Sequence, residues 1–206
     1  ELIAFPSGST NSRYKGFRIL EDSVMSVDFK VLFQAIQTSS SIAQEQFNLE
    51  GAAYNGKYVV LANRGTNHLI LIPITDFNRY LTDGLIDVSC IHSVQLELNQ
   101  VAACFLGLSG LAYDPKSNEF YFTASQEATQ EWYSDGEVLG SAIGRFKLRK
   151  GKVTSLSYSF VENDQKQPMK IKLESLVLVS HRDYNLIAVS DSDGGKSEAF
   201  YFKLTE

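Results

Sequence analysis

With 206 residues, 44% of them hydrophobic and 21% charged, the chain is long enough for one globular domain and ordinary in composition. A net charge of -5 with no block of like charge argues against nucleic acid as a partner, since phosphate contact needs a basic patch or stripe. No apolar run reaches the ~18 residues of a membrane-spanning helix, so a membrane is not an expected partner.

One phrase recurs along the chain. A clipped copy, ELIAFPSGSTNSRYKGFRIL, stands first; fuller copies begin at Leu49 (LEGAAYNGKYVVLANRG), Leu108 (LSGLAYDPKSNEFYFTAS) and Leu173 (LESLVLVSHRDYNLIAVSDSDGG). Such self-similarity decides the architecture before any single element does. In the first copy, residues 1–5 match 185–189 and 15–20 match 199–204, so its opening strand is missing. A helical turn is expected within 39–46. The second copy reads as strands over 51–54, 58–62, 68–74 and 93–98, with a turn at Asn55-Gly56 and a helical turn or two over 76–85. The third gives 110–113, 119–123, 142–148 and 153–161, turning at 114–118 and 150–152. The fourth stops after its third strand. Short alternating strands joined by such turns are antiparallel hairpins. No segment shows a sustained helical period, and 75–88, 124–141 and 163–170 read as loops.

The expected fold class is therefore all-β: a β-propeller of four-stranded antiparallel blades, in which stacking covers both faces of each small sheet. The period of about 60 residues exceeds the ~40–50 of common propeller repeats, the excess falling in those loops. The expectation is a single domain with blades at 1–47, 48–106, 107–172 and 173–206. The first lacks its inner strand and the last its outer one. Four blades cut at both ends are expected to be part of a five- or six-bladed ring. Glu1 is not an initiator Met, and an N-terminal segment or another chain is expected to complete the ring.

The phrases FNLEGAAYNGKYVVLANRG and GLSGLAYDPKSNEFYFTAS resemble a group of bacterial propeller proteins, related to the phytase-associated esterase-like and quorum-sensing-receptor-regulated propellers. The Leu-Glu-Gly opening is also similar, more distantly, to the calcium-dependent sugar lactonase propellers, where an E-G-P phrase puts a metal-binding Glu on the axis. That resemblance implies an ion near Glu50, although Ala52 stands where those proteins have Pro. It also leaves bacterial cytoplasm and periplasm both open as the compartment.

In a four-stranded blade the start of the inner strand and the end of the second strand meet on one face of the disc. Glu50 is thus expected beside Asn63 and Arg64, Ser109 beside Ser125 and Gln126, and Glu174 beside Asp191 and Asp193. Ser7, Ser9 and Thr10 hold the corresponding place in the first copy. Together they would ring one mouth of a central channel, a concave polar setting suited to a small-molecule or protein ligand. Glu50, Glu174 and Asp191 are hard oxygen donors suited to Ca or Mg, and Arg64 could clamp a carboxylate or phosphate. Trp132 and Tyr133, in the long insertion leaving the same mouth, could form a lid. The bland readings are backbone-bonded strand starts and an ordinary turn over 191–195. Cys90 and Cys104 read as buried structural thiols. The three histidines lack metal spacing. Acid comes from two of the four copies only. That favours a ligand- or partner-binding scaffold, the alternative being a metal-assisted hydrolase of lactonase or phosphoesterase type.

Overall fold

The alternating segments fold as strands, and two of the links between them as helices. The computed structural model describes residues 1–98, 104–128, 137–180, 185–191 and 195–204. Among these residues, fourteen strands form four antiparallel sheets, each a meander. The first holds β1 (Leu2–Ala4), β2 (Lys15–Ile19) and β3 (Val24–Asp28), followed by helix α1 (Lys30–Ser40). The second holds β4 (Leu49–Tyr54), β5 (Tyr58–Asn63), β6 (His68–Pro73) and β7 (His92–Gln95), with helix α2 (Ile74–Asp83) before its last strand. The third holds β8 (Leu106–Asp114), β9 (Glu119–Glu127), β10 (Val138–Arg149) and β11 (Lys152–Phe160). The fourth holds β12 (Leu173–Leu178), β13 (Leu186–Ser190) and β14 (Ala199–Phe202).

Local turn chemistry fixes these hairpins. The Asn55 side-chain oxygen accepts from the backbone N–H groups of Lys57 (3.0 Å) and Tyr58 (2.8 Å), closing an Asx turn between β4 and β5. Lys150 and Gly151 both have positive φ, 50° and 73°. A two-residue type I′ turn needs this, and it pairs Arg149 with Lys152.

The core follows from the two-residue period of a strand. Leu61 of β5 and its partner Ile70 of β6 point into a cluster shared with α1, α2 and the first sheet. Their neighbours Val60, Ala62, Leu69 and Leu71 point the other way, against Leu108, Phe122 and Phe146 of the third sheet. On the far face of that sheet, Tyr121 and Ile143 meet Leu176 and Ala188 of the fourth. The sheets therefore stack face to face in chain order. Strand β4 lies against β8, and β8 against β12.

Two expectations need correction. Residues 30–40 form a helix although no helical period stood out. Its buried residues, Leu32, Phe33, Ala35 and Ile36, make one short stripe, and its N-cap residue, Phe29, offers no capping side chain to mark its start. Within 75–88 the helical turn or two expected over 76–85 is the helix α2, Ile74–Asp83, with Phe77 and Tyr80, three apart, both buried on its inner side. The supposed loop 124–141 is also shorter than its sequence suggests, since β9 runs on to Glu127 and β10 begins at Val138. No helix among the described residues is long and apolar enough to cross a membrane.

Candidate functional site

The first strands of the second, third and fourth sheets, β4, β8 and β12, share an irregularity that the sequence does not announce. In β4 the pairing with β5 shifts between Leu49 and Gly51, in β8 between Leu108 and Gly110, and in β12 between Leu173 and Ser175. Each shift is a β-bulge, and the extra residue is Glu50, Ser109 or Glu174. Bulges re-aim a side chain out of the regular ladder. Here they do so at the same place in three successive sheets.

Around two of these bulges the charged side chains form a chain of alternating sign. Arg64 Nη2 lies 2.7 Å from Glu127 Oε1, both side chains at most 10% exposed. Lys172 Nζ stands 3.6 Å from that same oxygen and 3.4 Å from Glu174 Oε1. Asn48 donates from Nδ2 to Glu50 Oε1 at 2.8 Å. Arg64 follows β5, Glu127 ends β9 and Lys172 precedes β12, so the chain of charges crosses the second, third and fourth sheets. The backbone supports it: Arg64 N–H donates to Asn48 O, and Asp191 N–H to Lys172 O. A Cβ added at Gly107 would come within 2.8 Å of Arg64 Cγ, so the bare glycine leaves room for that side chain.

Burial pushes the Glu50 carboxyl above its ordinary value, and the charge of Glu174 adds to the rise against the pull of Arg64, Asn48 and Lys172. Glu174 is raised in the same way, first by burial and then by Asp191, with Lys172 and Arg64 opposing. Glu50 thus stands in the field of a second carboxylate where it is already poorly solvated.

The other expected mouth residues have different surroundings. Ser109 and Ser125 are fully buried. Ser109 Oγ donates to Leu173 O (2.5 Å) and Ser125 Oγ to the same carbonyl (2.9 Å), while Ser125 Oγ and Ser141 Oγ lie 3.0 Å apart. Ser141 donates to Ile171 O and accepts from Leu173 N–H. These hydroxyls tie the third sheet to the strand opening the fourth. Asn63 is buried too, accepting from Asn48 N–H and donating to Gln46 O, and Gln126 is buried and donates to Cys104 O. Ser7 stays close, its carbonyl accepting from Leu49 N–H, but its hydroxyl faces Ser9 at 3.0 Å. Asp193, Trp132 and Tyr133 lie outside the described residues.

Three chemical expectations change. Arg64 is engaged by Glu127, so it is not a free anion clamp. Around Glu50, Glu174 and Asp191, as elsewhere among the described residues, no group of three His, Cys, Asp or Glu is placed to hold a metal ion. The cationic heads of Lys172 and Arg64, interleaved with the acids, also disfavour a divalent ion there. Cys90 and Cys104 are free thiols, but only half-buried.

One family profile spans residues 1–204. The chain belongs to DUF6929, a family of unknown function. Among curated proteins, none matches this DUF6929 chain. Asn48, Glu127 and Lys172 were missed by sequence reasoning. For Asn48 and Lys172 a signal existed, since both immediately precede the Leu that opens a repeat. Glu127 had none, being hidden in a segment that reads as loop.

Proposed function

We propose that the four sheets are consecutive blades of a β-propeller belonging to a five- or six-bladed ring, and that the protein is a non-catalytic binding scaffold. Its ligand is a small molecule bearing a protonated amine, held at the charged end of the inner strands. The face-to-face stacking in chain order and the adjacency of β4, β8 and β12 support the ring. The observation that carries the ligand reading is the placement of Glu50 and Glu174 at equivalent bulges of β4 and β12, where burial raises both carboxyls and the charge of Glu174 adds to the rise of Glu50. An ammonium group between them would relieve their repulsion and replace lost solvation. An anion would meet Glu50, Glu127, Glu174 and Asp191 before any cation not already in an ion pair. Arg64 and Lys172, interleaved with the acids, favour this reading over a metal-assisted hydrolase.

A thermal-shift series tests this. At pH 7.5, small primary and quaternary amines are expected to raise Tm in a concentration-dependent way, by mass action on the folded state. Phosphate, acetate, Ca²⁺ and EDTA are expected to leave it unchanged. The amine effect should vanish in Glu50→Gln and Glu174→Gln. A Tm rise with Ca²⁺ or phosphate and none with amines overturns the reading.

A further inference from the structure

Asn55-Gly56 is the single Asn-Gly step in the chain, and it forms the turn between β4 and β5. Gly56 is exposed, has φ at +85°, and a Cβ placed on it would meet nothing within 4 Å. Asn55 Oδ1 accepts two backbone N–H groups, that of Lys57 at 3.0 Å and that of Tyr58 at 2.8 Å. Asn55 Nδ2 and the Gly56 N–H make no hydrogen bond among the described residues. The carboxamide is thus gripped by its oxygen, while its nitrogen and the next backbone nitrogen stay unengaged.

We propose that Asn55 is a site of spontaneous covalent modification, deamidation through a cyclic imide formed with Gly56. The Gly56 nitrogen yields its proton to water and bonds to Asn55 Cγ. The Cγ–Nδ2 bond breaks, and the amide nitrogen takes up a proton and leaves as ammonia. Water then adds to one carbonyl of the ring and opens it. Opening at Cγ leaves aspartate, whereas opening at the main-chain carbonyl leaves isoaspartate, whose backbone runs through the former side chain. Water is the only co-reactant, and nothing is oxidised or reduced.

The turn supplies what this ring closure needs. Negative charge develops on Oδ1 as the Gly56 nitrogen adds, and backbone donors aimed at such an oxygen stabilise it. The attacking nitrogen has no hydrogen bond to give up, and its residue has no Cβ to crowd the approach or restrict the backbone. Asn163 is the internal comparison. Its Oδ1 also accepts two backbone N–H groups, from Gln165 at 2.9 Å and Gln167 at 3.0 Å, but the residue after it is Asp164, which carries a side chain. Either product at position 55 adds a negative charge beside Lys57, whose Nζ lies 5.1 Å from the centre of the Tyr58 ring. Isoaspartate also lengthens the turn and moves its closing acceptor into the backbone. The site lies at the far end of β4 and β5 from Glu50 and Arg64, so the inference does not rest on what the charged end binds.

Timed incubation of the folded chain at pH 7.5 and pH 8.5, followed by peptide mapping with mass spectrometry, tests it. Conversion at Asn55 is expected to be at least about 10-fold faster than at Asn163, to rise with pH and to yield isoaspartate as well as aspartate. The rate at Asn55 in the folded chain should lie within about 10-fold of its rate in guanidinium, since an exposed turn needs little local opening. Gly56→Ala should slow conversion at Asn55 by at least about 10-fold, in the folded chain and in guanidinium alike, so the result does not depend on that variant folding. The inference is overturned if Asn55 converts less than about 10-fold faster than Asn163, if folding slows it more than about 10-fold, or if Gly56→Ala leaves its rate unchanged.

Discussion

Arg64 reaches Glu127 because residue 107 has no side chain to block its path. The pair is buried, and removing one partner strands a charge. Arg64→Met is therefore expected to cost about 3–5 kcal/mol in chemical denaturation, while Arg64→Met/Glu127→Leu should recover most of that loss. Gly107→Val is expected to act like a milder form of Arg64→Met, through displacement of the same side chain. Glu50 gives a separate prediction in pH. Its carboxyl titrates above the ordinary range in the folded chain, so between the ordinary and the raised value the folded state holds more protons than the unfolded one. The stability this group contributes is full below the ordinary carboxylate value and is lost as pH rises through the folded value. The difference in Tm between Glu50→Gln and the parent chain should accordingly grow in favour of the variant from pH 4 to pH 8. A difference that stays flat over that range would mean that Glu50 is not held in a raised state.

At the scale of the element, the third position of the repeated phrase shows what the inner strands require. A Cβ on Gly110 would meet Thr123 Oγ1 at 2.6 Å and Ser175 Cα at 3.1 Å, and one on Gly51 would meet Leu111 Cβ and N at 2.9 Å. The glycines let adjacent inner strands touch, whereas their counterpart Ser175 is exposed. Gly110→Val is expected to destabilise by about 1–3 kcal/mol through overpacking, and Ser175→Ala to fall within about 0.5 kcal/mol of the parent. Most strands were legible because alternation and turn residues such as Asn55-Gly56 act locally. Helix α1 was not, since a four-residue stripe in an eleven-residue segment competes poorly with a strand-rich context. The charged end was half legible: Glu50, Arg64 and Glu174 follow from reading the repeats in register. Ser109 looks equivalent to Glu50 in sequence, but in the fold its hydroxyl is turned toward Leu173 O. Lys172 joins the cluster through packing between sheets, which no single repeat records.

Across the whole molecule, the serine hydroxyls at Leu173 and the ion chain through Glu127 are polar ties between the third sheet and the fourth. Ser141→Ala leaves the Leu173 N–H buried without its acceptor, at a cost of about 1–3 kcal/mol. Hydrogen exchange should then accelerate in β12 to β14 while β5 and β6 keep their protection. Equal acceleration everywhere would mean the stack unfolds as one unit. The first and the fourth sheets each leave apolar side chains exposed on one face, with a consequence for association. The two faces are not copies of one another, Leu2, Phe17 and Val24 standing on one and Val177, Val189 and Tyr201 on the other. Contact between two 206-residue chains through these faces would join unlike surfaces, and such a head-to-tail contact has no two-fold axis to end it. Growth would continue until the rotation happened to close, and otherwise would run on as a fibre.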